Sequence, residues 1–249
     1  MAVQPLGPSP VPAGLTPATA ASSVERVTDR PRWLAQVLAV LVDGQDAAAA
    51  AEWTRRLDGE LERLRGRVPF SVVHDWHAHA VTPMLVSANE RRGEDPQVQR
   101  SVQRLHLRAL AGERVAEAEW VAALEPALRE VYRHAYAYAD AYATARANAH
   151  AYATANGFSL TGAVEFADSY AELNTSANAE SYADANAMAN ARAAAAAYAA
   201  ADPAAYAESY PFAFVIAVVQ GQSDEAEQRR AACQRLADGL VGCLARAGV

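Results

Sequence analysis

Strict alternation of alanine is the feature that most constrains the fold of this chain. Alanine fills every odd position from 135 to 155 and again from 183 to 201, and all ten tyrosines lie between Tyr132 and Tyr210. Alternation is formally the pattern of a β-strand. A strand over residues 135–155 would be roughly 70 Å long, however, and strands usually have only about 3–10 residues. Because alanine is the best helix former, we expect two long Ala/Tyr-rich helices, with a β-solenoid as the alternative.

The alternation also predicts how these helices pack. Two-residue steps turn about 200° around a helix, so alanine is expected to coat every side and leave the tyrosines as protruding knobs. Tyr132 and Tyr136 share one face, while Tyr138 and Tyr142 point to roughly the opposite one. A helix with aromatic side chains on two sides is expected to be sandwiched within a bundle.

The predicted fold class is all-α, a helical bundle with two long Ala/Tyr-rich helices and several shorter amphipathic ones. Residues 1–30 form a predicted disordered Pro/Ala-rich leader, and residues 31–249 a single all-helical domain. Within that domain we expect short helices over 31–125, the Ala-x repeat helices over 126–210 and a C-terminal helical segment over 211–249.

Turn and capping residues predict where the long helices end. Glu125-Pro126 indicates a helix start and Asn156-Gly157 a helix end, which gives one helix of about thirty residues. The second repeat helix is predicted to stop at Asp202-Pro203, and Asn174-Thr175-Ser176 either caps a new helix or marks a bend. A final helix is predicted from about Asp224 to Ala247, with Ser223 as its cap.

Composition limits the setting and the partners. All 22 basic residues are arginine and Ile216 is the one isoleucine, a bias typical of a high-GC bacterium, in which a slipping hexanucleotide repeat would write the alternation. The net charge of −7 argues against nucleic-acid and anionic-membrane partners. Cys233 and Cys243 are too few for a disulfide framework and are interpreted as reduced thiols of a cytoplasmic protein. The apolar run Phe212–Val219 is far shorter than the ~20 residues of a membrane-spanning helix.

One short string has the residue types of a metal site. Asp75-x-His77-x-His79 resembles the first metal motif of amidohydrolase-type enzymes. The resemblance covers five residues and implies a barrel strand, from which both imidazoles would point into one pocket. The rest of the chain lacks the alternating strands and helices of such a barrel. If the segment is helical instead, His74 and His77 share a face and could bind a metal together.

Two further groupings are candidates for polar function. Glu130 and His134 lie four residues apart, like a half-site of a di-iron bundle, and are interpreted as a helix-surface pair. Arg100, Arg104 and Arg108 form a stripe of like charges that calls for an anionic partner. We expect that partner to be the acidic segment of this chain that bears Glu113, Glu117 and Glu119.

The leading hypothesis for function is a non-enzymatic helical protein that acts through protein–protein interaction or self-assembly. Its partner is then another protein or further copies of itself, with no nucleic acid and no membrane. No residue is assigned as catalytic, cofactor-binding or metal-ligating, and no cofactor is expected. The alternatives are a metal-dependent hydrolase that uses Asp75, His77 and His79, and a helical ligand-binding or regulatory domain with a pocket between tyrosine-bearing helices.

Overall fold

A computed structural model of the chain describes residues 30–135, 138–223 and 225–248, except for the side chains of residues 138–141, 176–179 and 182. The predicted leader 1–30, apart from Arg30, lies outside the described residues. Within the described residues the chain is helical and has no strand, so the all-α prediction is confirmed and the β-solenoid alternative is wrong there.

A π-helical turn, His77–Val81, joins the third helix to the fourth. The helices are α1 Arg32–Asp43, α2 Ala47–Arg63, α3 Ser71–Trp76, α4 Thr82–Arg92, α5 Gln97–Leu110, α6 Glu117–Ala135, α7 Tyr138–Ala155, α8 Leu160–Ala200, α9 Pro203–Glu208, α10 Pro211–Gln220 and α11 Ala226–Arg246.

Helix α6 begins nine residues before the predicted start and runs through Pro126. A proline inside a helix removes one hydrogen bond and typically costs ~3 kcal/mol. Here Trp120 and Leu124 precede the proline and are buried with Leu128, which follows it. Burial of these apolar side chains along one helix outweighs the local cost. The predicted single helix over 126–155 therefore corresponds to the end of α6 together with α7, and residues 136–137 between them lie outside the described residues.

Helix α8 passes through Asn174-Thr175-Ser176 without a new cap. The side chains of Asn174 and Thr175 donate hydrogen bonds to the backbone carbonyls of Tyr170 and Ala171, at 2.8 and 2.6 Å. Each bond reaches back one helical turn, a geometry in which polar side chains remain inside a helix. The predicted stop is confirmed, because α8 ends at Ala200 and Asp202 then accepts hydrogen bonds from the first backbone amides of α9.

Within the described residues, only part of the alternating alanines is buried. Along α8 one row of buried positions is spaced by four residues or by eight: Ala163, Ala167, Ala171, Thr175, Ala183, Ala187, Ala191 and Ala195. We call this row the alanine seam. The intervening Ala185 and Ala189 are exposed, because a two-residue step turns the helix by about 200°. Near the end of the helix Ala194, Ala197 and Tyr198 are buried as well. Alanine therefore lies on both the buried and the exposed sides of α8, as expected from the alternation, and a neighbouring helix approaches along the buried row.

The seam is shared by two helices in succession. Helix α8 runs antiparallel to α6 and α7 and packs along both, and α8 is the principal neighbour of α7. Ala149 and Ala153 supply the buried positions of α7. The expected sandwiching of the repeat helix is thus not seen for α7, which packs chiefly on one side. Of the tyrosines assigned to opposite faces, Tyr132 is buried and Tyr142 half-buried, while Tyr136 and the side chain of Tyr138 lie outside the described residues.

The remaining helices enclose a core of large side chains. All four tryptophans, Trp33, Trp53, Trp76 and Trp120, are at most 1% exposed. The predicted C-terminal segment is two helices, α10 and α11, and Ser223 Oγ accepts from the amide of Glu225 just before α11. Cys233 and Cys243 are buried in α11 as free thiols. Nowhere in the described ranges is a helix both long and apolar enough to cross a lipid bilayer.

Close helix contact at Gly239 gives a first testable prediction. A Cβ atom there would lie 2.5 Å from Ala80 Cβ, whereas one at Gly59 in α2 would meet nothing within 4 Å. Gly239→Ala is expected to lower the free energy of unfolding by about 1–3 kcal/mol, because two packed helices must separate. Gly59→Ala is expected to raise it by about 0.5–1 kcal/mol through helix propensity. Urea denaturation followed by circular dichroism measures both, and equal shifts at the two sites would contradict this close approach.

Candidate functional site

The Asp75-x-His77-x-His79 string does not form a common site, because the segment is helical. Asp75 and His79 are one turn apart at the surface, with His79 Nδ1 2.7 Å from Asp75 Oδ1. Arg246 donates two hydrogen bonds of 3.1 Å to the same carboxylate. Partial burial opposes ionisation of Asp75, but the hydrogen bonds and charge of Arg246 outweigh it and lower the pKa of this carboxyl. His77 points the other way, into the core, so the strand geometry implied by the amidohydrolase resemblance is absent.

The helical alternative for this segment is confirmed in its geometry. His74 and His77 share the inward face of the α3 segment and are both at most 5% exposed. They meet His106 of α5, which is 0% exposed. His74 Nδ1 and His106 Nδ1 are 3.0 Å apart, and the rings of His77 and His106 stack with centroids 4.7 Å apart. We call these three residues the histidine cluster.

Aromatic side chains close around the histidine cluster from several helices. Trp120 of α6 stacks on His74 at 5.8 Å between ring centroids. The hydroxyls of Tyr206 and Tyr198 lie 3.0 and 3.3 Å from His77 Nε2. The cluster therefore joins the short helices to α8 and α9 through polar contacts inside an aromatic shell.

Burial keeps the histidines neutral. Loss of solvent lowers the pKa of His74 to about 4 and, together with the nearby His74, that of His77 to about 3. The pKa of His106 is also lowered well below its usual value, first by burial and then by the neighbouring histidines. The same burial raises the pKa values of Tyr198 and Tyr206. At neutral pH the cluster is an uncharged hydrogen-bonding network.

A small cavity adjoins the cluster on the side of α8. Its volume is about 30 Å³, and polar groups of His77, Tyr132, Asn190, Tyr198 and Tyr206 line it among apolar side chains. Asn190 Nδ2 donates a hydrogen bond of 2.6 Å to the Tyr132 hydroxyl at its edge. A space of this size and polarity suits one or two water molecules, whereas pockets for organic ligands usually measure roughly 300–1,000 Å³.

The described residues contain no group of three or more histidine, cysteine or acidic side chains arranged to hold a metal ion. The predicted pair Glu130 and His134 instead has separate partners. His134 Nε2 lies 3.0 Å from Glu94 Oε2, and Glu130 Oε2 accepts a 2.8 Å hydrogen bond from Asn89. Both side chains thus hold α6 against the α4 region.

Two of the three stripe arginines pair within the chain, and only Arg108 pairs with the acidic segment that was expected. Arg108 contacts Glu113 at 2.5 Å and Glu119 at 2.8 Å. Arg100 pairs with Glu90 at 2.7 Å, an acid that the sequence analysis did not name. Arg104 donates to Ser101 Oγ at 2.8 Å. Two of the three charges are therefore neutralised at the surface of the fold.

The clearest exposed feature lies on the hairpin of α7 and the first half of α8, which we call the arm. Its turn contains Gly157 with φ of 79°, a left-handed conformation that favours glycine. Around Phe166 the rings of Tyr152, Phe158 and Tyr170 lie 5.5–6.1 Å away between centroids. Tyr152 is 61% exposed and Leu173, farther along α8, is 80% exposed. We call Tyr152, Phe158, Phe166, Tyr170 and Leu173 the aromatic patch.

This patch gathers exposed apolar side chains of several residues at one place. Single exposed apolar residues are normal, but contiguous ones are favourable to cover. Aromatic side chains can bury about 150–250 Å² each and are enriched in protein interfaces. The positions of the tyrosines in the sequence do not predict this patch, because its exposure depends on which face of α8 lies away from the alanine seam.

Comparison of the chain with protein-family models, curated proteins and solved structures found no match.

Proposed function

We propose that this protein is a non-enzymatic helical protein that acts by binding another protein through the aromatic patch of its arm. The observation that carries the proposal is the cluster of exposed rings around Phe166, on a hairpin packed mainly by alanine. The two helices of the arm pack on each other mainly through alanine, which buries little apolar area. The large apolar side chains of the arm are therefore available to contact a partner.

The other polar groupings offer less for chemistry. The histidine cluster is buried and neutral, and its cavity has room for water rather than an organic substrate. His79 faces solvent, Asp75 is partly buried against Arg246, and His77 faces the core, which gives the hydrolase alternative no converging ligands. A ligand-binding domain would need the cavity to expand several-fold, so this alternative is not favoured by the geometry.

The proposed setting is the cytoplasm of a high-GC bacterium. The two free, buried thiols of Cys233 and Cys243 support a reducing compartment. Burial raises the pKa of the Cys233 thiol to about 11, which keeps it protonated and unreactive. Their role is therefore packing.

Site-specific photocrosslinking tests the proposal directly. A benzophenone amino acid at Tyr170, in the aromatic patch, is expected to give discrete covalent adducts in cells that express the protein. The same amino acid at Tyr210, which is 56% exposed but lies outside the arm, is the matched control and is expected to give none. Adducts are resolved by electrophoresis and identified by mass spectrometry.

The adduct masses also identify the type of partner. A band near twice the chain mass of 26.5 kDa would indicate self-assembly, and other masses a different protein. Identical patterns from the two positions, or no adduct from Tyr170, would overturn the assignment of the arm as the binding surface.

A further inference from the structure

The patch residues of α8 form a regular stripe. Phe166, Tyr170 and Leu173 are spaced i, i+4 and i+7, which places them within about 60° of the helix circumference. This is the spacing with which one amphipathic helix presents its apolar side chains to another helix. The stripe borders the alanine seam, so a bound helix would lie beside α7 and extend the arm to three helices.

The far side of the stripe is acidic. Glu165, Glu172 and Glu180 are all exposed. Helix geometry places Glu165 and Glu172 within about 20° of each other on the flank away from the seam, and places Glu180 about 80° from Glu172, close to the direction of Leu173. None of the three has an ion-pair partner among the residues that the structure describes. Between residues 138 and 180 the chain has five acidic residues and one arginine, Arg146, which already pairs with Asp168. The negative charge beside the stripe is thus unbalanced within the arm.

Resting on the proposed function, we infer that the partner is a basic amphipathic helix of another protein. Its apolar face would cover Phe166, Tyr170 and Leu173, and its arginine or lysine side chains would meet the three exposed glutamates beside the stripe. Complementary charge at the rim favours such a partner and speeds association. A second copy of the arm would bring two acidic surfaces together, and anionic membranes and nucleic acid would be repelled.

Two synthetic helices test this assignment with the full-length protein. Both have about 20 residues and the same leucine face, with lysine flanks in one peptide and glutamate flanks in the other. Fluorescence anisotropy measures the dissociation constants. The basic peptide is expected to bind at least about tenfold more tightly than the acidic one, and its affinity is expected to fall as salt rises, because exposed charges are screened.

Matched variants separate recognition by the arm from general attraction to an acidic protein. Phe166→Ala plus Tyr170→Ala is expected to weaken binding of the basic peptide by at least about tenfold. Leu107→Ala, at a residue of α5 that is 42% exposed, is expected to weaken it by less than about twofold. A variant with Glu165→Gln, Glu172→Gln and Glu180→Gln together is expected to bind the basic peptide about tenfold more weakly. The triple control Glu62→Gln, Glu117→Gln and Glu227→Gln changes the net charge equally at exposed sites elsewhere and should have little effect.

The possible results have distinct meanings. If both peptides bind equally and both depend on Phe166 and Tyr170, the binding surface stands and the basic partner is wrong. If the two glutamine triples weaken binding equally, or neither peptide binds, the inference is overturned. Sedimentation that shows a dimer lost in the Phe166→Ala plus Tyr170→Ala variant would also overturn it, because a second copy would then occupy the stripe.

Discussion

Lowering the pH from about 7.5 to about 4.5 is expected to reduce the free energy of unfolding by on the order of 5 kcal/mol through His74 and His77 together. Their folded-state pKa values are about 4 and about 3, against an ordinary value of 6.5. His106 shifts in the same direction and adds to the loss. Because the whole stability of a domain is typically about 5–15 kcal/mol, acid should bring the protein close to unfolding.

The direction of this pH dependence follows from which state of the chain, folded or unfolded, binds protons more tightly. A histidine whose pKa is lowered by folding binds protons more readily in the unfolded chain. Its stabilising contribution is complete above pH 6.5 and declines as the pH falls towards the folded-state pKa of about 3 to 4. The contribution is fully lost only below those values. The pKa values of Asp75 and Glu94 are lowered by neighbouring arginine and histidine despite partial burial, so their contribution begins to be lost only as the pH falls below the ordinary values of 3.8 and 4.5.

Urea denaturation at several pH values measures this dependence. His79→Gln, at an exposed histidine outside the cluster, is the control and should keep nearly the full pH dependence. His77→Gln should show a weaker dependence, because one buried titrating group is gone while an amide can still hydrogen-bond to Tyr206. A free energy of unfolding that stays constant between about pH 7.5 and 4.5 would show that the cluster is open to solvent.

Ala187→Leu combined with Ala191→Leu is expected to lower the free energy of unfolding by about 2–6 kcal/mol, since overpacking a close interface costs roughly 1–3 kcal/mol per site. Both alanines are 0% exposed in the seam between α8 and α6. Contacts from Arg129 to Asp184 and from Asn190 to Tyr132 fix α6 against this part of α8. The larger side chains would have to push the two helices apart.

The alternation supplies a matched control two residues away. Ala185→Leu combined with Ala189→Leu makes the same change in composition on the same helix, but at exposed positions. That pair should alter the free energy of unfolding by no more than about 0.5 kcal/mol per site. Thermal and urea melts compare the two variants. Equal losses of the free energy of unfolding in the two variants would mean that α8 does not pack against α6 along the alanine seam.

Local sequence predicted local structure well where only one element was involved. The stop at Asp202-Pro203 and the helical content of the repeat follow from capping and propensity, which act over a few residues. Pro126 failed as a boundary because buried contacts of Trp120 and Leu128 outweigh the missing hydrogen bond. Asn174 failed as a cap because its side chain can bond back to Tyr170 within a continuing helix.

The candidate sites were less predictable, because each depends on the arrangement of separate helices. His74 and His77 share a face by helical spacing, but the meeting with His106, 32 residues from His74, depends on how α5 packs. The aromatic patch likewise exists only because α7 covers one side of α8 and leaves the side with Phe166 open. Neither the periodicity nor the motifs of the chain contain that information.

By itself, the sequence determined that this chain is helical and that its longest helices have small side chains at every second position. That outcome is set by backbone propensity and by the 100° turn per residue, both properties of a single helix. Only the tertiary structure decided which alanine row became the seam, which histidines lost their solvent and which aromatic rings stayed exposed. Those outcomes depend on apolar area removed from water between elements far apart in the chain, and a local pattern does not specify the partner.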